Sequence, residues 1–148
     1  MLSLQEISDR MEIQDLLARY SDAIDSRRWD VLDELFTADA QIDYSSMGGI
    51  AGGVAEQKAF LAENVPAFPV SQHLAATSTF DIQGDVANVR TICFNPMVIT
   101  DEQHVLFCGL WYRDVMVRVG DRWLIKERVQ DRGFSLDMRR PPRTPRPA

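Results

Sequence analysis

Three residues of this chain have the type and setting for proton chemistry. His73 stands in VSQHLAATS (70–78), a stretch otherwise small and apolar enough for a buried strand. An imidazole can accept a proton near neutral pH, which makes it the commonest general base. Strand alternation places Ala75, Thr77 and Thr79 on the face of His73, and Leu74, Ala76, Phe80 and Ile82 on the other. Small neighbours leave room beside the ring. Asp25 ends a helical run in which Ser8, Glu12, Asp15, Arg19, Asp22 and Ser26 form a polar strip roughly 80° wide. Its own angle groups it instead with Ile7, Met11 and Ala18, away from bulk water. Arg128, in WLIKERVQD, shares a predicted face with Leu124 and Lys126, and a guanidinium can hold negative charge left on a substrate.

Each has a plain structural alternative. His73 can be a core histidine bonded to a backbone carbonyl, Asp25 a helix-end acid bonded to Arg27 or Arg28, and Arg128 half of a cross-strand surface ion pair. His104, the other histidine, follows TDEQ in a polar connection and reads as a surface residue.

The elements that must position these residues divide into a helical front and a strand-rich back. Ser3 and Glu6 have capping-box spacing, with Leu2 set to staple onto Ile7, so a helix is expected from Leu4 to about Ser26. WDVLDELF (29–36) predicts a second, shorter helix ended by TADA, QIDYS a short strand, and MGGIAGG a loop. VAEQKAFLAENV (54–65) predicts a third helix, stopped by Asn64, Pro66 and Pro69. Beyond Pro69, HLAATSTFDI, VANVRTICF, HVLFCGLWYRDVMVRV and RWLIKERV are strand-like runs separated by turn signals, which predicts antiparallel neighbours. Three helices before a four- or five-stranded sheet is an α+β pattern, with a hollow between the helices and a curved sheet.

The 148 residues fit one domain, expected over 1–138, with a Pro/Arg-rich tail at 139–148 that is disordered or draped over a neighbour. A net charge of −6 excludes nucleic acid as the natural partner, and the four tail arginines make the basic character local. No apolar run approaches the roughly 18 residues of a membrane span, and MLSLQEISDR is too polar for a signal peptide, so a cytoplasmic protein is expected. Cys93 and Cys108 form no CxxC and read as small buried residues. No cofactor or metal is implied. There is no GxGxxG after a strand, GGIAGG lacks a following Lys-Ser/Thr, and two distant histidines are too few for a common metal site.

IQDLLARYSDAIDSRRWDVLDELFTADAQID, SQHLAATSTF and GDRWLIKERVQD together resemble the SnoaL-like members of the nuclear transport factor 2-like superfamily, over nearly the whole chain. The resemblance implies a cone-shaped α+β barrel, three N-terminal helices packed on a strongly curved, mostly antiparallel sheet around a pocket. Its pocket residues are most similar to those of scytalone dehydratase and hexachlorocyclohexane dehydrochlorinase, which pair a sheet histidine with an aspartate on the first helix. Against the dehydrochlorinase, IQDL and Asp25-Ser26-Arg27 align without a gap, Ser71-Gln72-His73 matches its IxH, and Arg128 after Trp123 matches its pocket arginine. Tyr20 and Ile42 stand where that enzyme has a lysine and a tryptophan. Tyr20 is similar instead to the phenol donors of scytalone dehydratase, which favours dehydration or isomerisation of an oxygenated ring over halide elimination.

The resemblance thus implies a cofactor-independent lyase or isomerase. His73 would be the base, Asp25 its carboxylate partner, and Arg128 and Tyr20 donors to an enolate or leaving oxygen. Trp29, Ile42, Met47, Phe60, Phe68, Cys93, Phe107 and Trp111 are candidates to line a pocket for a small apolar or aromatic substrate. The alternatives are the noncatalytic small subunit of an aromatic-ring-hydroxylating dioxygenase and a noncatalytic apolar-ligand-binding module. HVLFCGLWYRDVMVRV is apolar on both parities, so a homo-oligomer, dimer or trimer, assembled through the outer sheet face is expected.

Overall fold

The structure is a computed structural model that describes residues 1–99 and 104–139; residues 140–148, most of the expected tail, lie outside it. Ser3 Oγ accepts the Glu6 backbone N–H at 3.1 Å and opens helix α1, Leu4–Asp25. The reciprocal half of the box is not made, because Glu6 turns to Arg10 at 2.7 Å. α1 buries Ile13, Leu16, Leu17, Tyr20 and Ile24, while the polar strip faces solvent as expected. Ile7, Met11 and Ala18 are exposed as well, so Asp25 is not carried inward by a shared apolar face. It is largely covered because the helix ends there against Ser71 and His73.

The second expected helix is shorter than WDVLDELF. A 3₁₀ turn at Trp29–Val31 leads into one helical turn, α2, Leu32–Leu35, and Phe36 already begins strand β1, Phe36–Asp43. TADA is therefore strand rather than a helix end, with Phe36, Ala40 and Ile42 buried and Ala38 and Asp39 turned outward. The glycine-rich loop contains β2, Ala51–Gly52, and α3 follows at Val54–Asn64. Then come β3 (Val70–Ser71), β4 (Leu74–Gln83), β5 (Val86–Val98), β6 (His104–Val119) and β7 (Arg122–Arg139). Among the described residues, no helix is long and apolar enough to cross a membrane.

The sheet runs β2-β1-β7-β6-β5-β3, with β4 also on β5. All pairs are antiparallel except β1 with β7, so the sheet is mixed. It curls strongly around the helices and makes a cone of three helices and one half-barrel sheet. The core lies between them, centred on Ile13, Leu17, Leu35, Met116 and Ile125.

β-Bulges set which side chains point inward. One extra residue reverses the alternation of everything beyond it. In β4 the register slips between Ala76 and Ser78, and Thr77 takes φ 59°, a left-handed conformation strained for a β-branched residue. Phe80 and Ile82 consequently pack on the core, and Thr79 is exposed, the reverse of simple alternation. In β7, Ile125 opposes Met116 and Glu127 opposes Val115, so Lys126 is the extra residue. Arg128 thereby leaves the expected Leu124/Lys126 face and joins Trp123 and Ile125 on the inside.

There Arg128 is fully buried, and its pairing is with a cross-strand acid as in the structural alternative, though inside rather than on the surface. Nε and Nη2 donate to Asp114 Oδ1 and Oδ2 at 2.7 and 2.9 Å. The guanidinium lies 4.1 Å from the Tyr20 ring centroid and 4.3 Å from that of Tyr112. Burial opposes its charge, but Asp114 outweighs burial and holds the arginine pKa well above its ordinary value. Removing one partner of such a pair strands a buried charge. Asp114→Ala should therefore cost about 3 to 5 kcal/mol in urea unfolding, and Asp114→Leu/Arg128→Met much less than the sum of the single changes.

Candidate active site

A cavity of about 210 Å³ opens between α1, α3, the Tyr44–Gly49 turn and the inner face of β5, β6 and β7. Most of its wall is apolar, with Met47, Phe60, Phe68, Met97, Leu106 and Leu110 contributing. Its polar groups are Tyr20, Tyr44, Ser71, His73, Asn95, Cys108 and Gln130.

His73 does not belong to a continuous strand. It lies in the break between β3 and β4, after Ser71 and before Leu74. The break brings ring and backbone against the end of α1. His73 Nδ1 lies 2.6 Å from Asp25 Oδ1, the His73 backbone N–H donates to Oδ2 at 2.7 Å, and Ser71 Oγ donates to Oδ1 at 2.8 Å. Burial raises the Asp25 pKa, but the hydrogen bonds from the His73 ring, the His73 backbone and Ser71 offset it, so the carboxyl lies below its ordinary value. A carboxylate at Nδ1 fixes the proton there and leaves the lone pair on Nε2, on the cavity side of the ring. Asn95 Nδ2 faces that nitrogen at 2.9 Å.

Neither helix-end alternative partner takes the Asp25 carboxylate. Arg28 pairs with Asp22. Arg27, in a left-handed conformation at φ 56°, donates to the Asp25 main-chain oxygen and to Phe68 O, tying the segment before His73 to the helix end.

Tyr20 and Tyr44 meet beside the ion pair, their hydroxyls 2.6 Å apart, and the Tyr20 ring packs edge-on against Tyr112. One must donate to the other, and the acceptor's own proton remains for a third group. Burial raises the pKa of both phenols, while the nearby Arg128 acts in the opposite direction. Arg128 itself does not line the cavity; it lies behind the Tyr20 ring.

Of the expected lining residues, Met47, Phe60 and Phe68 reach the cavity. Trp29 packs on the outside of the core, and Ile42 and Cys93 lie within it. Burial pushes the Cys93 thiol up to about 11. Phe107 and Trp111 have the wrong parity: Cys108, Leu110 and Tyr112 point inward on β6, so these two lie on the outer face. There Phe107 stacks on Phe94 at 5.9 Å and Trp111 lies under Arg90 at 4.6 Å. Tyr44 and Asn95 were not singled out from sequence. The inward parity of ANVRTICFN pointed to Asn95, and a polar residue on that parity was the available signal. Among the described residues, no group of three His, Cys, Asp or Glu is arranged to hold a metal ion.

Residues 5–129 match the SnoaL-like domain family. The chain belongs to that family. An uncharacterized protein of Mycobacterium tuberculosis, Rv2910c, is 52% identical over 139 residues, covering 93% of this chain and 95% of its own. A candidate scytalone dehydratase from Novosphingobium aromaticivorans has the same fold, with a TM-score of 0.80 at 20% identity, covering 94% of this chain and 97% of its own. So does a type 3 hexachlorocyclohexane dehydrochlorinase from Novosphingobium barchaimii, with a TM-score of 0.78 at 17% identity over 91% of this chain and 93% of its own. The SnoaL-like fold of this chain is thus one shared with dehydratases and dehydrochlorinases.

The lowered Asp25 pKa has a definite linkage sign. Its contribution to stability is present above the ordinary carboxylate range and is lost as the pH falls through the depressed folded value. Wild type should therefore lose stability on acidification more steeply than Asp25→Asn below about pH 4, as read from urea midpoints across a pH series.

Proposed function

We propose that the protein is a cofactor-independent lyase or isomerase that removes a proton from a small, oxygenated cyclic substrate. The observation that carries this reading is the 2.6 Å contact of His73 Nδ1 with a carboxylate, beside a largely apolar cavity. The ring takes the substrate proton on Nε2, and Asp25 stabilises the imidazolium so formed. General base catalysis contributes roughly 10²- to 10⁴-fold, so the negative charge left on the substrate needs stabilisation as well.

The Tyr20–Tyr44 pair supplies it. The spare phenol proton of the pair donates to an enolate or leaving oxygen. Arg128 acts through the Tyr20 ring rather than on the substrate, its fixed charge favouring negative charge on the phenol oxygens. Replacement of the dehydrochlorinase lysine by this phenol supports an oxygen leaving group, as in dehydration, over a halide.

The outer face of the sheet supports self-association. Leu74, Ile92, Phe134, Leu136 and Met138 are each about half exposed there. Sedimentation velocity at micromolar concentration should give a dimer or trimer, and Leu136→Lys should shift the distribution towards monomer.

The chemistry is testable before the substrate is known. In D₂O, the protein should accelerate hydrogen–deuterium exchange next to the carbonyl of at least one member of a panel of small ring ketones, followed by proton NMR. His73→Ala should abolish the acceleration, and Asp25→Asn should reduce it by about 10²-fold or more, with both variants folded by circular dichroism. A panel left unexchanged by wild type, or exchange indifferent to His73, would return the cavity to the noncatalytic readings.

A further inference from the structure

Asn95 sits where the base must work. Because the Nδ1 proton of His73 is committed to Asp25, Nε2 carries the lone pair and the amide must present its N–H to it, 2.9 Å away. That orientation fixes the other half of the amide. Asn95 is 5% exposed and lines the cavity, and its Oδ1 has no hydrogen-bond partner among the described residues. A desolvated carbonyl left bare is unfavourable, and a ligand that donates to it removes the penalty.

We propose that Asn95 is the specificity-determining residue of the cavity, and that the substrate it selects carries a hydroxyl beside a carbonyl. The inference rests on His73 acting as the base. An imidazole nitrogen has one in-plane lone pair, and here the amide N–H occupies it. A proton cannot be taken through an occupied lone pair. A primary amide displays a donor and an acceptor side by side, and a hydroxy ketone displays the complement. When the ligand hydroxyl donates to Oδ1 and its carbonyl oxygen accepts from Nδ2, both ends of the amide are satisfied and Nδ2 is drawn off the ring. Nε2 is then free to take the C–H proton acidified by that carbonyl, the electron pair passing to the carbonyl oxygen as an enolate. A hydrocarbon or chlorinated ring offers neither partner, leaving Oδ1 bare and Nε2 occupied. Sites built on such pairing reject analogues that lack the hydroxyl more strongly than apolar contacts can.

The experiment compares α-hydroxyacetophenone with its methyl ether as probes of the full chain, with dissociation constants from NMR titration. Wild type should bind the hydroxy ketone at least about tenfold more tightly than the ether, and its binding should move the ¹⁵N resonance of His73 Nε2. In Asn95→Leu the two probes should bind within about twofold of each other. Asn95→Gln, which keeps both the donor and the acceptor of the amide, should retain the preference. Equal binding of the two probes by wild type, or a preference that survives in Asn95→Leu, would overturn the proposal. No turnover is involved, so a failed preference beside intact ketone exchange rejects the role of Asn95 alone. Intact preference without exchange rejects the base.

Discussion

A fully buried arginine lies at the centre of this molecule, and the arrangement around it follows from the need to neutralise and pack one charge. Arg128 takes both oxygens of Asp114 on the neighbouring strand and is enclosed by the rings of Tyr20 and Tyr112. The pair requires Asp114 and Arg128 to point to the same side of the sheet, which sets the β6–β7 register. It also requires aromatic faces against the guanidinium, which holds α1 over the sheet through Tyr20. The cavity wall is therefore one surface of an electrostatic cluster whose other side is the core. A desolvated pair of this kind gains less net stability than its Coulomb attraction suggests, and its more certain effect is to make alternative registers expensive.

The residues of the candidate site depend on this frame but are positioned by irregularities. Asp25 is the last residue of α1, His73 lies in a gap between two strands, and Arg27 in a left-handed turn ties the helix end to the segment before the histidine. A regular helix end and an unbroken strand would not let one carboxylate accept from both the ring and the backbone of His73. The geometry is possible because β3 stops after Ser71 and β4 begins at Leu74.

These irregularities also explain what the sequence made legible. α1 and α3 were readable to within a residue because capping residues, Pro and an uninterrupted helical period mark them. The order of helices before strands followed from the same periodicities. His73 and Asp25 stood out as chemical types in unusual settings, Tyr20 only through the family resemblance, and the structure places all three around one cavity or directly behind its wall. Sequence alternation failed for Arg128, Phe80 and Ile82, because a single extra residue at Lys126 or at Thr77 reverses the faces and leaves no compositional mark. Phe107 and Trp111 failed differently. With both parities of β6 apolar, alternation could not say which one faced the helices. Phe36 and TADA read as helix because their β state depends on pairing with a strand far along the chain, and no local propensity reports that.

That pairing has a consequence for biosynthesis. β1 lies parallel to β7, with Ile42 opposite Arg128 and Asp43 opposite Val129, so the first strand has β2 on one edge and must wait for the last strand on the other. At about 5 to 20 residues per second, the ribosome needs on the order of ten seconds to make the intervening chain. Through that interval α1 holds an apolar face with no sheet to cover it, and the nascent chain presents the open edge of β1 to other strands. Closure of the cone is thus a late event in which distant segments meet, a long-range contact that slows folding relative to a helical protein of equal length. The helix that carries Asp25 is made first, yet it acquires its working geometry only when nearly the whole chain has emerged.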